Sequence, residues 1–537
     1  MPVALISLYH YDNFAMRLLF SYLQKRGIPV YYIAFKRMKQ KATKTLKNDY
    51  VEMHDFHDQV TEEDIKILLQ QIGNINPSLI GIGFKSSHLQ LAKDLTSKIK
   101  ESFSAPVVWG GDHPTIAPET CIEYTDIVCV GEGFEALVEL AGNISNGRSY
   151  DKINNLWINK DGNIIRNPSR PLLNDLDVLP FASYTPENKI YIDEGKIQKD
   201  KNIDYFGFGF TDAPSIVFYQ TMTSFACPMH CSFCINSLQH DKFRRRSVGN
   251  VIEELVQAKN SNPNLRWIFF WDNIFAVNKK WCLEFAEEYK RKIDLPFFTY
   301  SHPLCCDMEI LVPLRKAGWT ITVMGIQSGS YNLRKTLYAR NETNEKIFEA
   351  ARNLAGLKKI KSPKPYFNIY YDYVKNNPLE GKKDLAESLD LFLKFPKGFV
   401  FQAFNLSFFP NYPITKHFLQ NGYIAEKDIE GNVKTSANNW ITTFDEKKEY
   451  RGFLRRHEYY YLLFSLAQYT LFPNFIIRII ERKKFFINRL YILYRLCRLF
   501  RFLELTFSVS KYRWAWDMFM LIPFRMKIKY RTLLRYS

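Results

Sequence analysis

Three cysteines, Cys227, Cys231 and Cys234, stand in the run Cys-Pro-Met-His-Cys-Ser-Phe-Cys. Thiolates select zinc or iron-sulfur centres, and three of them on one short loop require a fold that presents this loop around a single centre. A structural zinc wants a fourth protein ligand. His230 offers one, but it sits between two of the cysteines, where a loop already wrapped around a metal has trouble turning it inward. A disulfide would strand an odd thiol. The spacing favours a cubane cluster over zinc: three irons held by protein, and a fourth left open to chemistry.

The 537 residues exceed what one core can organise and argue for two or three domains. Apolar runs at Val3 to Leu8, Val30 to Phe35, Leu79 to Phe84, Val107 to Trp109 and Ile127 to Val130 are of strand type. Helical patterns from Asn13 to Arg26 and around Leu89 to Ser102 separate them. This alternation predicts a doubly wound parallel sheet over residues 1–150, whose ligands bind at the carboxyl ends of the strands. Two turns fall there: Gly110-Gly111-Asp112-His113-Pro114-Thr115 and Gly131-Glu132-Gly133. Each alone is equally a tight strand-to-helix turn.

Residues 151–202 read as a connector, with a small hairpin turning at Asp161-Gly162. From 203 to 420 the strand-helix unit repeats. The strand Ser215 to Thr221 delivers the cysteine loop, Trp267 to Trp271 ends at Asp272 and Asn273, Phe297 to Ser301 precedes His302, and Ile321 to Ile326 ends in Gln327 and Ser328. Such repeats close into a full or partial (β/α) barrel, with working residues at the strand ends. Cys282, Cys305 and Cys306 lack metal-ligand spacing, and a structural role is favoured for them.

The cysteine spacing, with Phe233 just before the last cysteine, resembles the signature of the radical SAM superfamily. The two glycine turns, in this order, look like the cobalamin-binding domain that precedes many radical SAM domains. The resemblance covers about three quarters of the chain and implies a class B radical SAM methyltransferase-like enzyme. It also implies a 4Fe-4S cluster on Cys227, Cys231 and Cys234, whose open iron chelates S-adenosylmethionine. One electron would then release a 5'-deoxyadenosyl radical. By the same resemblance Phe233 packs near the adenine, Asp272 and Asn273 bind the methionine amino group, and Ser301, Gln327 and Ser328 contact the same cofactor. Gln327 stands where relatives carry Glu, which keeps an acceptor and loses the charge. Arg340-Asn341-Glu342-Thr343, Tyr371 to Pro378 and Leu406 to Pro410 resemble later segments, although Asn411-Tyr412 replaces an expected Gly-Thr. Gly110, Gly111, His113, Gly131, Glu132 and Gly133 would line cobalamin. The place where mutases carry Asp-x-His-x-x-Gly reads His10-Tyr-Asp-Asn-Phe-Ala15, so the expected cobalamin is base-off with no histidine ligand.

The net charge of +18 is concentrated: from residue 451 onward 18 Lys and Arg face 4 Asp and Glu. This region, 421–537, reads as a basic, aromatic-rich helical extension. Tyr459 to Ile477 is uncharged for 19 residues, but its Tyr-rich start and Pro473 make it a poor spanning helix. Cations interleaved with Leu, Phe and Tyr through Arg489 to Arg501 and Trp514 to Tyr536 describe a segment at a membrane interface. Nucleic acid is disfavoured, because no RNA-binding module is recognisable. A helical cover over the barrel is the plainer alternative. The N-terminus lacks a signal peptide's charged start and the nine cysteines form no disulfide framework, so the expected place is a reducing cytoplasm, peripheral to the inner face of the membrane.

Together these features predict cobalamin-dependent C-methylation of a small or lipid-like substrate at an unactivated carbon, fed by a low-potential donor such as ferredoxin or flavodoxin. The alternatives are a cobalamin-binding cyclase or oxidoreductase, an RNA-modifying radical enzyme, and a non-enzymatic iron-sulfur or cobalamin carrier. An RNA methylthiotransferase would carry three further N-terminal cysteines, of which Cys121 and Cys129 supply two.

Overall fold

The computed structural model describes residues 1–11, 13–45, 50–57, 59–199, 217–238, 242–364, 366–434, 448–470 and 472–483, with 492, 493 and 496. Its N-terminal part is built on strands β1 (Val3–Leu8), β2 (Val30–Phe35), β3 (Met38–Thr45), β4 (Tyr50–His57), β5 (Leu79–Gly83), β6 (Val107–Gly110) and β7 (Ile127–Cys129). It continues through β8 (Leu156–Lys160), β9 (Asn163–Arg166), β10 (Lys189–Asp193) and β11 (Lys196–Ile197). Nine of these form one sheet in the order β11-β10-β2-β1-β5-β6-β7-β8-β9, and β3 pairs with β4 in a separate hairpin. Strands β10 through β7 of that order run parallel.

Both faces are covered, which is why β1 is apolar without alternation. Val3 and Leu5 enter one core with Phe20 and Leu140, from helices Phe14–Lys25 and Phe134–Ser145. Ile6 and Leu8 enter the opposite core with Ile72 and Leu95, from helices Glu62–Ile75 and Leu89–Ser102. Asn13 caps the first helix by accepting from the Met16 amide, and Thr61 and Asp64 form a reciprocal capping box on the second.

Residues 151–202, expected to be a connector, supply four strands to this sheet. The hairpin β8–β9 turns at Asp161 and Gly162, both at positive φ as a two-residue hairpin turn demands. Strand β10 adds in parallel beside β2. A buried ion cluster locks that edge: Lys36 Nζ lies 3.0 Å from Asp64 and 2.9 Å from Asp193. Short, polar strands of this kind look like linker in sequence because the sheet edge they join supplies the burial.

The second part comprises β12 (Val217–Thr221), β13 (Ser224–Phe225), β14 (Arg244–Arg245), β15 (Leu265–Phe270), β16 (Phe297–Ser301), β17 (Trp319–Gln327), β18 (Asn368–Lys375) and β19 (Val400–Asn405). Among the described residues, β12-β15-β16-β17-β18-β19 make a six-stranded parallel sheet, a partial barrel with β12 and β19 at its edges. One side packs on the crossover helices through residues such as Ile268, Phe297, Met324 and Tyr371. The inner side carries an aromatic group built on Phe218, Trp267 and Phe298.

Helix Lys448–Ala467 closes over the helix layer, and helix Asn474–Lys483 follows it. Leu462, Phe464 and Ala467 are fully buried in the main core, with Phe464 5.3 Å from Phe392. The uncharged stretch from Tyr459 is therefore a packing surface, and no described helix is long and apolar enough to cross a membrane. The stretches Arg489 to Arg501 and Trp514 to Tyr536 lie almost wholly outside the described residues.

Replacing Lys36 by Met strands two buried carboxylates, and removing one partner of a buried ion cluster costs roughly 3–5 kcal/mol. Denaturant unfolding of Lys36→Met should show that loss; a change below about 1 kcal/mol would mean that the cluster does not hold the β10 edge.

Candidate active site between two facing sheet edges

The cysteine loop leaves β12 and is anchored at both ends. At its start, Ser224 and Phe225 pair with Arg245 and Arg244 across β13–β14. Asp272, at the end of β15 and fully buried, accepts from the Thr223 amide (3.0 Å), the Thr223 hydroxyl (2.6 Å) and the Ser224 hydroxyl (2.5 Å), with Arg245 3.7 Å away. Asn273 donates to the carbonyl of Ala226 (3.3 Å), which takes positive φ immediately before Cys227. At the far end, the Ser232 amide and hydroxyl donate to the carbonyls of Tyr338 and Leu337 (3.1 and 2.5 Å).

The thiols meet donors. The Met229 amide approaches Cys227 Sγ (3.5 Å), the Asn236 side chain donates to Cys234 Sγ (3.3 Å), and Arg340 Nη1 lies 4.0 Å from Cys231 Sγ. Burial pushes the Cys227 thiol up to about 11 and raises Cys231, with Arg340 opposing. Sulfurs that are costly to ionise alone, yet are supplied with N–H donors and a guanidinium, fit an iron-sulfur cluster, whose sulfurs are tuned by such donors. Among the described residues no three His, Cys, Asp or Glu side chains converge as a single ion requires. His230 is exposed.

Arg340 is a hub, and in the sequence nothing beyond its place in the Arg340-Asn341-Glu342-Thr343 segment marks it out. It donates to the Gly325 carbonyl (2.9 Å) and to Glu342 (2.5 Å), and lies 3.0 Å from His302 Nε2. Burial and the Arg340 charge bring His302 down to about 3, so its ring is neutral. Ser301 shares a hydrogen bond with Thr322 (2.7 Å). Gln327 takes positive φ and folds back over Gly325, where an added Cβ would meet its Nε2 at 2.4 Å. Ser328 donates to Glu380 (3.3 Å), which also accepts from Tyr373 (2.5 Å) and lies 3.7 Å from His457 of the C-terminal helix. Burial raises the Glu380 carboxyl to about 8. Nothing in the sequence joins Ser328, Glu380 and His457; only the fold does. Phe233 meets Tyr338 edge-on at 5.2 Å.

In the first sheet, Gly111 has φ +101° and an added Cβ would lie 2.7 Å from the Phe84 carbonyl, so only glycine fits. His113 is fully buried, and its ring nitrogens meet the hydroxyls of Ser86 (2.9 Å) and Thr120 (3.1 Å); burial brings it down to about 4. It pins the Gly110-Gly111 turn to the loop after β5. The Gly131 amide donates to Thr115 (3.1 Å), and a Cβ on Gly133 would crowd Leu137 at 3.3 Å. Glu132 pairs with Arg244 of β14 at 2.6 Å, tying this turn to the start of the cysteine loop.

Other polar and thiol side chains of the barrel pack within it. Arg246 pairs with buried Glu254 (2.6 Å), while Cys282 and Cys306 lie in the helix-side core, with Cys305 packed against it.

The carboxyl ends of the two sheets face each other. Ile116 and Ala117, just past the Gly110-Gly111 turn, pack with Tyr338, Val374, Phe408 and Tyr412 from the barrel's strand ends, and Phe233 and Ile235 join them. Asn411 donates to the Ile116 carbonyl (2.7 Å). Tyr412 lies within electrostatic reach of both Cys234 and Asp112, so the cysteine loop and the glycine turn come near one another at this contact.

Residues 9–141 match the B12 binding domain, and residues 222–362 match the Radical SAM superfamily. An uncharacterized methyltransferase of Pyrococcus horikoshii is 29% identical over 266 residues, 48% of this chain. The match spans about half of that relative's length, 53%. The radical S-adenosylmethionine methyltransferase TsrM from Kitasatospora setae, solved with tryptophan and a SAM analog, superposes with a TM-score of 0.60 at 16% identity, covering 78% of this chain and 76% of that one. The cobalamin-dependent S-adenosylmethionine radical enzyme OxsB, with aqua-cobalamin and S-adenosylmethionine bound, gives 0.54 at 17% identity, covering 81% and 57%. At these identities the likeness is one of fold.

Asp272→Ala removes the acceptor that holds three donors at the loop entrance. Iron and sulfide per chain after anaerobic reconstitution should fall several-fold, while Cys305→Ala loads normally. Full loading of Asp272→Ala would show that the loop is held elsewhere.

Proposed function

We propose that this chain, a radical SAM superfamily member with a B12 binding domain ahead of its barrel, is a cobalamin-dependent methyltransferase acting on an unactivated carbon. The observation that carries this is the apposition of the two carboxyl edges across Ile116, Tyr338 and Val374. Both cofactor loops belong to these apposed edges, as transfer of a group from one cofactor's neighbourhood to a substrate radical at the other requires. When bound, the cluster supplies the electron that cleaves S-adenosylmethionine and cobalamin carries the methyl group.

The chain's own residues do the positioning. Asp272 and Asn273 shape the cysteine loop, while Arg340 sets the charge beside Cys231 and ties it to Gly325 and His302. Gln327 presents an amide without a charge over Gly325. Gly111 and Gly131 let backbone approach the cobalamin face, and Glu132 holds that face in register with the barrel through Arg244. Both nitrogens of His113 are occupied by hydroxyls, and His10 is not set in a mutase-like motif, which supports base-off binding without a histidine ligand. A low-potential donor such as ferredoxin or flavodoxin would reduce the cluster. The +14 balance after residue 450 supports peripheral contact with anionic lipid.

The RNA methylthiotransferase reading lacks its second cluster. Cys121 and Cys129 are buried in opposite cores of the first sheet and cannot share one.

Anaerobic reconstitution with iron, sulfide and cobalamin, followed by S-adenosylmethionine and a strong reductant, should yield 5'-deoxyadenosine and S-adenosylhomocysteine. Cys227→Ala should abolish the first. Deoxyadenosine without S-adenosylhomocysteine, once substrate is present, would favour the cyclase or oxidoreductase alternative. Glu132→Ala breaks the link between the sheets but leaves the cysteine loop intact. It should lower S-adenosylhomocysteine formation about tenfold relative to deoxyadenosine; equal loss of both products would refute a role in domain register.

A further inference from the structure

The inner face of the partial barrel carries a carboxylate that nothing above uses. Asp372 stands in the middle of β18, on the side that faces away from the helix layer: its neighbours Tyr371 and Tyr373 are buried in the helix-side core, while Tyr370 packs with the inner aromatic group. Across the sheet it is in register with Gly325 on one side and Gln402 on the other. Gly325 is the residue whose carbonyl Arg340 holds while reaching Cys231. Asp372 therefore sits one strand away from the backbone next to the cysteine loop.

Its surroundings are aromatic. Below it, Tyr300, Val323 and Tyr370 lie in register across three strands. Trp271 sits 6.0 Å from Tyr300 and 5.8 Å from Phe298. Trp271, Tyr300, Tyr370 and Asp372 are only partly buried, and Phe404 on β19 is 57% exposed, so this face is not closed over by the protein.

Asp372 Oδ1 is inaccessible to solvent and makes no hydrogen bond. Burial alone brings its carboxyl up to about 7, with no neighbouring cation to oppose the rise. A carboxylate in such a place costs stability unless a partner compensates its charge. Aromatic faces around it are the surroundings that stabilise an organic cation.

Building on the methyltransferase reading, we infer that this face lines the substrate chamber and that the substrate is an apolar molecule carrying one protonated amine, which pairs with Asp372 while the rings of Trp271, Tyr300 and Tyr370 hold its body. The pairing fixes the substrate one strand from the cysteine loop and makes Asp372 a specificity-determining residue.

The test uses the full chain, reconstituted with cluster and cobalamin and saturated with S-adenosylmethionine. Calorimetric titration with 2-phenylethylamine and decylamine is compared with their uncharged counterparts, 2-phenylethanol and decanol. At least one amine should bind about tenfold or more tighter than its alcohol, as a charge-assisted contact requires. The preference should disappear in Asp372→Asn, which keeps the shape and removes the charge. Equal affinities, absence of binding by both amines at millimolar concentration, or a preference that persists in Asp372→Asn would overturn the assignment. The readout needs no turnover. A protein that discriminates amines but never cleaves S-adenosylmethionine would refute the methyltransferase reading and leave the chamber standing.

Discussion

Everything in this molecule depends on one apolar contact, where Ile116 and Ala117 from the first sheet meet Tyr338, Val374 and Phe408 from the second. A parallel sheet gathers its loops at the carboxyl edge because every crossover returns to the same end. Two such sheets joined edge to edge bring two sets of loops into one cleft. The Asn411 hydrogen bond to Ile116 and the Glu132–Arg244 pair fix the register of that contact on either side of it.

Buried acids then determine how precisely the loops are held. Asp272 and Glu254 are both almost inaccessible, and each accepts from hydroxyls on neighbouring segments. Hydrogen bonds to charged acceptors are roughly twice as strong as neutral ones, so one carboxylate can hold a loop that makes little apolar contact of its own. Glu380, whose carboxyl burial raises to about 8, accepts from Ser328 and Tyr373 and lies 3.7 Å from His457, so the C-terminal helix packs beside the loop after β17 as well as covering the helix layer.

Several features were legible in the sequence because a local rule governs them. The cysteine spacing, the Asp161-Gly162 hairpin and the apolar runs of β1, β5 and β6 each follow from a few adjacent residues. The role of residues 151–202 was not legible, since β10 is a strand only because β2 lies beside it. The hold that Asp272 has on the loop entrance was not legible either, since both of its oxygens accept from Thr223 and Ser224, about fifty residues earlier in the chain. The uncharged run from Tyr459 reads as a poor spanning helix, but composition alone does not say what it packs on, since membrane and core reward the same apolar side chains; packing against Phe392 places it in the core.

The sequence by itself determined the chemistry that can be held here: three thiols on one loop, glycines where backbone must pass closely, and alternating strands and helices that must form parallel sheets. Those are properties of residue type and short-range spacing. The tertiary structure decided which polar groups find partners within the fold. Asp272 and His113 are engaged by partners far away in sequence, whereas among the described residues Asp372 Oδ1 is left without a hydrogen bond. Whether a polar group is satisfied depends on what lies across the sheet from it, and that is settled only when distant strands are brought into register.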